Sequence, residues 1–520
     1  MRELIKKIDL PVFLMSGGVF VIFIALALIN VEALQTGINT LFGLSTKFFG
    51  PFWYILVLLY FIIGMYIAFS KYGNIKIGRT NKIEFTKIQW LSMVMCTLLA
   101  GVGVFWAAAE PIAHFASAPP FYGETENQLQ KAYNALSQSF LHGGFLVWSI
   151  MGSTLIPIAY AYLVYYKKLP LRPRTLLYPI FGERALTNKG VIGPVTDAFC
   201  ILAVMAGTIG PIGFLGAQLG YGLEDLFGFT NGFGLQATMI GIVMCVYVMS
   251  ASTGLSKGIK YLSQANIYLT LFLFCFILLF GPFRFIFSTF IGAFGQHLGD
   301  FLSLATYTQD PSWSSSWTYF FWAWFLGYSP LMGIFVIKVS KGRTLRELIV
   351  TMSLIAPIIT MLWFTVLGGS GLHFEITNPG SVLDVFNANG GFNIPGTLLS
   401  ITKQLPLGKI VSVLFLILSA TFIVTTGDSM SFTISSVSLK DTGDHSEQDS
   451  SRTLRIFWGL AMGFVAIILL YIGGVSALQS FIVITAVPVS LILIPPLLKA
   501  MTFVKAMYKT DHEDSITTKE

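Results

Sequence analysis

Aromatic side chains in the middle of one apolar segment have the chemistry to hold an organic cation. The segment at residues 317–339 contains Trp324, Phe325 and Tyr328 directly before a Ser-Pro pair, which predicts a break in the helix. Positions 324 and 328 fall on one face of a helix, and a well-placed ring attracts an ammonium group by about 0.5–2 kcal/mol. Packing in a helical core is the more common role of such a stripe. The pattern alone therefore leaves both a cation site and ordinary packing open.

Two other apolar segments carry groups that suit a small cation or a closely approaching ligand. Thr425 and Thr426 are adjacent hydroxyls beside a glycine, and such oxygens either coordinate a hard cation such as Na⁺ or bond to helix carbonyls. Gly101 and Gly103 lie close together in another segment. They either let unwound backbone supply ligands near the middle of the membrane or permit close helix packing.

Ionisable residues within apolar segments are the remaining candidates for function. Glu110, Asp197 and Asp428 lie in or at the ends of such segments, where a charge is costly and a functional role is the default interpretation. Helix capping or pairing at the interface is the alternative, and function is favoured only for Asp428, which follows the two threonines. The six His form no HExxH or similar metal pair, and no Walker A sequence is present. The sequence therefore predicts neither an enzyme active site nor direct use of ATP.

The segments that carry these residues are long enough to cross a membrane. Hydrophobic residues make up 54% of the chain and charged residues only 11%, against about 25% charged residues in soluble proteins. An apolar run of about 18 residues spans roughly 30 Å of hydrocarbon. The sequence predicts about twelve such helices, at residues 11–30, 52–70, 90–109, 141–165, 195–219, 235–250, 265–287, 317–339, 349–372, 409–430, 454–471 and 477–501.

Lysine and arginine concentrate on one side of this predicted array. The two tails and the alternate loops hold roughly 27 of the 32 Lys and Arg, and these loops lie at 71–87, 166–190, 252–264, 338–347 and 435–455. The positive-inside rule therefore predicts cytoplasmic N and C termini. Because the basic residues are spread among short loops, the net charge of +7 gives no support to nucleic-acid binding. The short loops and the composition favour the inner membrane of a bacterial cell.

Taken in order, the motifs resemble the betaine/carnitine/choline transporter (BCCT) family over roughly residues 8–505. The matching stretches are the Gly-x-Gly run before Ala109-Glu110-Pro111, Trp322-Ala323-Trp324 with Ser329-Pro330, the run from Ser340 to Glu347, Asp197, Gln218 with Gly222-Leu223, and the run from Thr425 to Ser429. The resemblance implies an all-α integral membrane protein with a LeuT-like core of two inverted five-helix repeats after two N-terminal helices. It also implies a homotrimer.

This resemblance divides the chain into five parts. We expect an N-terminal tail and two extra transmembrane helices at 1–89, and a first five-helix repeat at 90–290. An extracellular-side amphipathic connection follows at 291–316, then a second five-helix repeat at 317–505 and a short cytoplasmic tail at 506–520. The substrate is expected near the membrane midplane, at the interface between the repeats.

The resemblance also implies a substrate box that this chain fills incompletely. Three box positions fall on Trp324, Phe325 and Tyr328, where betaine carriers usually have three tryptophans. On the fourth span the positions fall on Gly143, Trp148 and Met151, so only Trp148 keeps a ring and space should open in the box. The glycine pair of the third span, Gly101 and Gly103, is expected to add backbone contacts.

Two kinds of substrate are compatible with this reduced box. A trimethylammonium compound would be held by the remaining rings, with Met151 as a soft contact and Trp106 as a candidate replacement ring. Alternatively the head group has changed, and the substrate is another zwitterion, a sulfonium compound or an amino acid. The first interpretation is favoured, and either substrate is a small organic solute.

Sodium is the coupling ion that the resemblance implies, bound between the third and tenth spans. The tenth-span positions match Phe422, Thr425 and Thr426, and the third-span carbonyls match Cys96 and Leu99. Sodium-independent members replace the ion with fixed groups, and the core spans here contain no inserted Arg or Lys. We therefore expect Na⁺ symport with alternating access, with a Na⁺-independent exchanger or a facilitator of the same family as the alternative.

Overall fold

The described residues fold almost entirely into α-helices. A computed structural model describes the backbone of residues 7–151, 154–253, 256–388, 392–440 and 451–517, and the side chains of these ranges except 96–102, 253, 256–260 and 514–517. Within these ranges, strand-like pairing is limited to two isolated bridges, Ile8 with Leu439 and Lys76 with Thr344.

The helices follow one another with short connections. Those of the first half are α1 (Leu10–Ile29), α2 (Val31–Phe69), α3 (Lys87–Gly101), α4 (Ala107–Ala116), α5 (Gln128–Gly143), α6 (Phe145–Ile150), α7 (Leu155–Tyr160), α8 (Tyr178–Phe181), α9 (Glu183–Leu186), α10 (Ile192–Phe227), α11 (Phe233–Thr253) and α12 (Ser256–Phe280). Those of the second half are α13 (Phe283–Ala305), α14 (Pro311–Ser316), α15 (Thr318–Val339), α16 (Leu345–Val350), α17 (Ala356–Phe364), α18 (Ser370–Thr377), α19 (Leu383–Phe386), α20 (Ile394–Lys403), α21 (Gly408–Val437), α22 (Arg452–Ile492) and α23 (Ile494–Thr517).

Local signals in the sequence account for several helix boundaries. The Asn127 side chain accepts hydrogen bonds from the backbone N–H groups of Leu129 and Gln130, and so begins α5. The Thr344 hydroxyl does the same for Glu347 at the start of α16. Single π-helical turns join consecutive helices at Val102–Trp106, Thr351–Ile355 and Thr365–Gly369, and another, Ala161–Tyr166, ends the segment that begins with α7.

Ten helical segments in the described part of the chain are long and apolar enough to cross a membrane. The last of them, Arg452–Glu513, contains two predicted spans, so the ten segments include eleven of the predicted twelve. The remaining predicted span, 90–109, lies in α3, the π turn and α4, and part of it falls outside the described side chains. The prediction of an all-α multi-span membrane protein is confirmed, and the inverted-repeat arrangement stays a prediction.

One predicted helix break is absent, because a serine hydroxyl replaces the hydrogen bond that proline cannot make. Helix α15 continues through Pro330, although the sequence predicts a break at this Ser-Pro pair. Proline has no N–H to donate to the carbonyl four residues earlier, which belongs to Leu326. The Ser329 hydroxyl donates to that carbonyl at 2.7 Å. The helix therefore keeps its hydrogen bonding, and the predicted break is wrong.

A real interruption separates the last two predicted spans. Helix α22 contains two residues with non-helical backbone angles, Gly473 and Gly474. The φ angle of Gly474 is 60° and its ψ angle is −140°, a conformation open to glycine because it has no Cβ. The chain therefore changes direction here without leaving the helical segment.

Three of the expected part boundaries fall inside continuous helices, and the first of them, between residues 89 and 90, lies within α3. The boundary between residues 290 and 291 lies within α13, which packs along α5, and the boundary between 505 and 506 lies within α23. The Gln296 side chain donates to Asn134 at 2.8 Å and so ties α13 to α5. The division of the chain into two repeats stays a prediction.

Both ends of the described chain lie on one face, together with the loops rich in Lys and Arg. At the N-terminal end, the Asp9 backbone N–H donates to the Ser438 carbonyl at 2.9 Å. At the C-terminal end, the Tyr166 hydroxyl donates to Asp511 at 2.7 Å. The loops at 71–87 and 338–347 also meet, through hydrogen bonds such as that from the Ile77 N–H to the Arg343 carbonyl at 2.9 Å. We call this the terminal face.

Candidate functional site

The three predicted box aromatics of α15 are buried, and two of them bond to one short stretch of α10. The rings of Trp324 and Phe325 are stacked, with centroids 5.8 Å apart and an interplanar angle of 22°. The Trp324 indole N–H donates to the Gly207 carbonyl at 3.0 Å. The hydroxyls of Tyr328 and Thr208 lie 2.7 Å apart. The structure therefore fixes these rings from a neighbouring helix that the sequence did not single out.

Glycine is required at position 207 because two of these rings lie against it. A Cβ atom there would lie 2.2 Å from the Tyr328 ring and 3.1 Å from the Trp324 ring. Distances this short are far below van der Waals contact, so any side chain would displace the rings. The close approach of α10 and α15 depends on this residue.

Trp148 lies on α6, which packs against α15, and Met151 directly follows this helix. Trp148 and Met151 are both buried, at 3% and 4% exposure. The Trp148 indole N–H donates to the Thr360 hydroxyl at 3.1 Å. The orientation of Trp148 is therefore set by α17, and the predicted site brings together three helices that are far apart in sequence.

The space expected at Gly143 is filled, so the expectation of an opened box is wrong at this position. A Cβ atom at Gly143 would lie 3.2 Å and 3.3 Å from ring atoms of Phe364, and 3.6 Å from the methyl group of Thr360. Phe364 is fully buried at the end of α17. An aromatic ring from another helix thus occupies the space beside the missing fourth-span ring.

The predicted glycine pair of the third span is only partly described. Gly103 lies in the π turn Val102–Trp106, and its carbonyl accepts a hydrogen bond from the indole N–H of Trp363 on α17. Turns of this kind occur often at functional sites. Gly101 lies outside the described side chains, as do the predicted sodium ligands Cys96 and Leu99.

The described half of the predicted sodium site lies on α21. The Thr425 hydroxyl lies 3.0 Å from the Thr421 carbonyl and 3.1 Å from the Phe422 carbonyl. A hydroxyl has one proton and two lone pairs, so the Thr425 oxygen keeps acceptor capacity for a cation. The Asn266 amide of α12 lies 3.5 Å from the same hydroxyl. Thr426 is partly exposed, whereas Thr425 and Phe422 are buried.

A layer of aromatic rings lies between the predicted box and the N-terminal end of α15, on the side away from the terminal face. Trp106 is fully buried and contacts Phe320 and Phe321 of α15, both with ring centroids 5.3 Å away. Phe320 in turn lies 5.6 Å from Trp324. Trp106 is therefore part of this layer, next to the predicted box on the side away from the terminal face.

The three ionisable candidates have different surroundings. Glu110 lies at 2.6 Å from the Nδ1 atom of His142 and at 3.3 Å from the Nε2 atom of His114. Asp197 forms buried ion pairs with Arg174 at 2.7 Å and with Arg172 at 3.1 Å. Asp428 is 9% exposed, and its Oδ1 atom forms no hydrogen bond within the described part of the chain. Pairing thus accounts for Asp197, and Glu110 joins a cluster that the sequence did not predict.

The functional candidates that sequence reasoning missed share one property. Their partners are distant in the chain, and no local pattern marks them. These residues are Gly207, Thr208, Asn266, Thr360, Trp363 and Phe364. Only the small residues of α10, in the run from Ala206 to Gly210, offered a signal for close helix approach.

Comparisons with known proteins agree with this architecture. The model of the betaine/carnitine/choline family transporters matches residues 11–511. Glycine betaine transporter 2 of Vibrio parahaemolyticus is 51% identical over 511 residues, which cover 98% of this chain and 92% of that protein. The glycine betaine transporter OpuD of Bacillus subtilis is 32% identical, covering 90% of this chain and 88% of that protein.

A third relative has a different named solute. The ectoine/hydroxyectoine transporter of Virgibacillus pantothenticus is 29% identical over 489 residues, which cover 93% of this chain and 94% of that protein. The family match spans nearly the whole chain, and it confirms the resemblance seen in the sequence motifs. The chain belongs to the betaine/carnitine/choline transporter family, and it is a multi-span membrane transporter rather than an enzyme.

Proposed function

We propose that this protein imports a trimethylammonium compound of the glycine betaine type, by Na⁺ symport with alternating access. The observation that carries the proposal is the buried stack of Trp324 and Phe325, with Tyr328 one turn further along α15. Ring faces attract a quaternary ammonium group, because its charge cannot be satisfied by hydrogen bonds. The name of the relative that is 51% identical supports the same class of solute.

The oxygen atoms on α21 support sodium as the coupling ion. The Thr425 hydroxyl and the Phe422 carbonyl lie 3.1 Å apart, and neutral oxygens at this spacing suit a small hard cation. Thr426, the next residue of the helix, is partly exposed and adds a second hydroxyl. Helix α21 also contacts α3, as a site between the third and tenth spans requires.

Orientation and assembly complete the proposal. We place both termini in the cytoplasm of a bacterial cell, because the terminal face gathers the loops that hold most of the Lys and Arg. Assembly as a homotrimer follows from the family resemblance.

A different zwitterion is the second candidate substrate. The absence of rings at Gly143 and Met151, together with the ring of Phe364 beside Gly143, changes the shape of the box. The relative that is 29% identical is named as an ectoine/hydroxyectoine transporter. Competition between glycine betaine and ectoine for the same carrier separates the two candidates.

Uptake into proteoliposomes tests the substrate. Labelled glycine betaine should accumulate, and choline, carnitine, proline and ectoine are added as competitors. Trp324→Leu should weaken apparent affinity by about 30-fold, since a buried cation–ring contact is worth about 2 kcal/mol. Phe272→Leu is the matched control, because Phe272 is 53% exposed on α12. Failure of every quaternary ammonium compound to enter or compete would overturn the substrate class.

A sodium gradient tests the coupling. Uptake is measured with and without inward Na⁺ in Thr425→Ala and Thr426→Ala, and each change should abolish Na⁺ stimulation. Thr433→Ala is the control, because Thr433 is a partly exposed threonine of the same helix whose hydroxyl bonds to the Ser429 carbonyl. Undiminished Na⁺ stimulation in Thr426→Ala would contradict the sodium site.

A further inference from the structure

A carboxylate and two imidazoles meet in the interior beside α15, separate from the predicted substrate rings. Glu110 and His114 lie one turn apart on α4 and therefore share a helix face, and His142 approaches from α5. One ligating atom of each side chain lies within 4.8 Å of the other two. We call these three residues the outer cluster. One carboxylate with two imidazoles is a donor set that Zn²⁺ takes in proteins.

The carboxylate of the outer cluster is not matched by a Lys or Arg among the described residues. Glu110 is 0% exposed, and its Oε2 atom forms no hydrogen bond within the described residues. A buried carboxylate without a cation or sufficient hydrogen bonds is costly, and more so in a membrane. The other polar groups at the cluster, Gln138 and Thr318, are neutral. A divalent cation would supply the missing positive charge.

A second layer of contacts already orients one imidazole for a metal. The Nε2 atom of His142 lies 3.0 Å from the Thr318 hydroxyl, while Nδ1 points to Glu110. Metal-binding histidines usually hold their second ring nitrogen with such an oxygen, which fixes the ring. The Phe321 ring also stacks on His142, with centroids 5.1 Å apart and an angle of 15°.

A cavity of about 340 Å³ borders the outer cluster at His114. His114, Trp313 and Trp317 line it, and Asp310 adds a carboxylate to the lining. The lining comes from α4, α14 and Phe392, which all belong to regions predicted to lie opposite the terminal face. A cation that enters would pass Asp310 and reach His114, and water from the cavity can complete a four-ligand set.

The distance between two of the ligand atoms matches what a tetrahedral metal needs, and all three atoms lie within 4.8 Å of one another. With bonds of about 2.0–2.2 Å, neighbouring ligand atoms around Zn²⁺ lie about 3.3 Å apart. The Glu110 and His114 atoms are 3.3 Å apart. The Glu110 and His142 atoms are 2.6 Å apart, and they must separate slightly when a metal replaces the proton that they share.

We propose that Glu110, His114 and His142 form a binding site for a divalent transition-metal ion of the Zn²⁺ class, entered from the cavity beside Trp313 and Trp317. The site is independent of the transported solute, because its donor atoms lie beyond the aromatic layer that contains Trp106. Its test therefore needs no substrate.

Titration of tag-free purified protein with Co²⁺ tests the proposal, because four-coordinate Co²⁺ absorbs visible light and Zn²⁺ can displace it. We expect one saturable site per chain. His114→Gln and His142→Gln should each weaken binding by about 100-fold or more, since loss of a second-layer partner alone costs about 10–100-fold. Thr318→Val removes only the second-layer contact and should weaken binding by about 10-fold.

Two controls keep the outcome decisive. His373→Gln changes a partly exposed histidine on α18, outside the cluster, and should leave binding unchanged. His114→Gln is the preferred variant because His114 borders the cavity, and its melting temperature must match that of the parent protein. Absence of Co²⁺ absorption, or equal binding by His114→Gln and the parent, would overturn the proposal.

Discussion

Two buried groups of charged side chains lie on different sides of the predicted substrate rings, and they differ in how their charges are matched. On the terminal face, Asp9 and Asp197 meet Arg172 and Arg174, and we call these four residues the inner network. The Arg174 guanidinium lies 2.7 Å from Asp197 and 3.0 Å from Asp9. Two carboxylates thus meet two guanidiniums. The outer cluster has one carboxylate and two imidazoles, and no Lys or Arg contacts it among the described residues.

The difference indicates separate roles for the two groups. The inner network fastens chain segments together, because Arg172 also donates to the Val437 carbonyl at 2.7 Å and thereby links the N-terminal segment to the end of α21. Its charges are balanced within the fold. The outer cluster pairs its carboxylate with imidazoles alone among the described residues, and it borders a cavity. A balanced network stabilises the fold, whereas an unbalanced one is suited to an incoming cation.

The largest effect is expected when one charge of the inner network is removed. Asp197→Asn keeps the side-chain shape but leaves two guanidiniums facing the single carboxylate of Asp9. Breaking a buried ion pair on one side costs about 3–5 kcal/mol. Equilibrium unfolding in mixtures of mild detergent and SDS should show this loss of stability.

A carboxylate elsewhere on the same face provides the control. Glu183→Gln changes an exposed residue of α9, so its free energy of unfolding should stay within about 0.5 kcal/mol of the parent value. Equal stability of Asp197→Asn and Glu183→Gln would show that water reaches the inner network.

A smaller loss of stability is expected where two helices pack closely without charged groups. Gly207→Ala places a methyl group 2.2 Å from the Tyr328 ring, and overpacking of this kind costs about 1–3 kcal/mol. The displaced rings should also raise the KM for the transported solute. Gly241→Ala is the control, since a Cβ atom there meets nothing within 4 Å. Unchanged affinity in Gly207→Ala would mean that transport does not depend on the packing of these rings.

The parts of the fold that could be predicted from sequence are those with a local signal. Apolar length alone located the spans, because each helix must satisfy its own backbone hydrogen bonds in lipid. The break expected at Pro330 failed for a reason that is also local, the hydroxyl of Ser329. A general rule for proline could not anticipate which neighbouring group would replace the missing N–H.

The candidate site was less predictable because its contacts join distant segments. The ring of Phe364 beside Gly143 comes from a helix more than 200 positions later in the chain, and nothing near Gly143 signals it. His142 similarly reaches Glu110 only through the packing of α5 on α4. Residue types identified the helices involved, but the partners required the fold.

An effect of about 1 kcal/mol is expected from the hydroxyl pair between α10 and α15. Tyr328→Phe and Thr208→Val each remove one side of the 2.7 Å contact, and a buried hydrogen bond contributes about 1 kcal/mol. The double variant should be little less stable than either single variant, because both lose the same bond. If Tyr328→Phe impairs uptake while Thr208→Val does not, the tyrosine hydroxyl contacts the solute instead.

The smallest change in the free energy of unfolding is expected for Glu110→Gln. Like Asp197→Asn, it exchanges a buried carboxylate for an amide of the same shape. Glutamine can still bond to His142, and the change removes a charge that the fold does not balance. The free energy of unfolding without metal should therefore shift by less than about 1 kcal/mol, while Co²⁺ binding is lost. A destabilisation as large as that of Asp197→Asn would mean that a cation within the fold, such as protonated His142, already pairs with Glu110. The two groups would then be balanced alike, and the outer cluster would have no need of a metal.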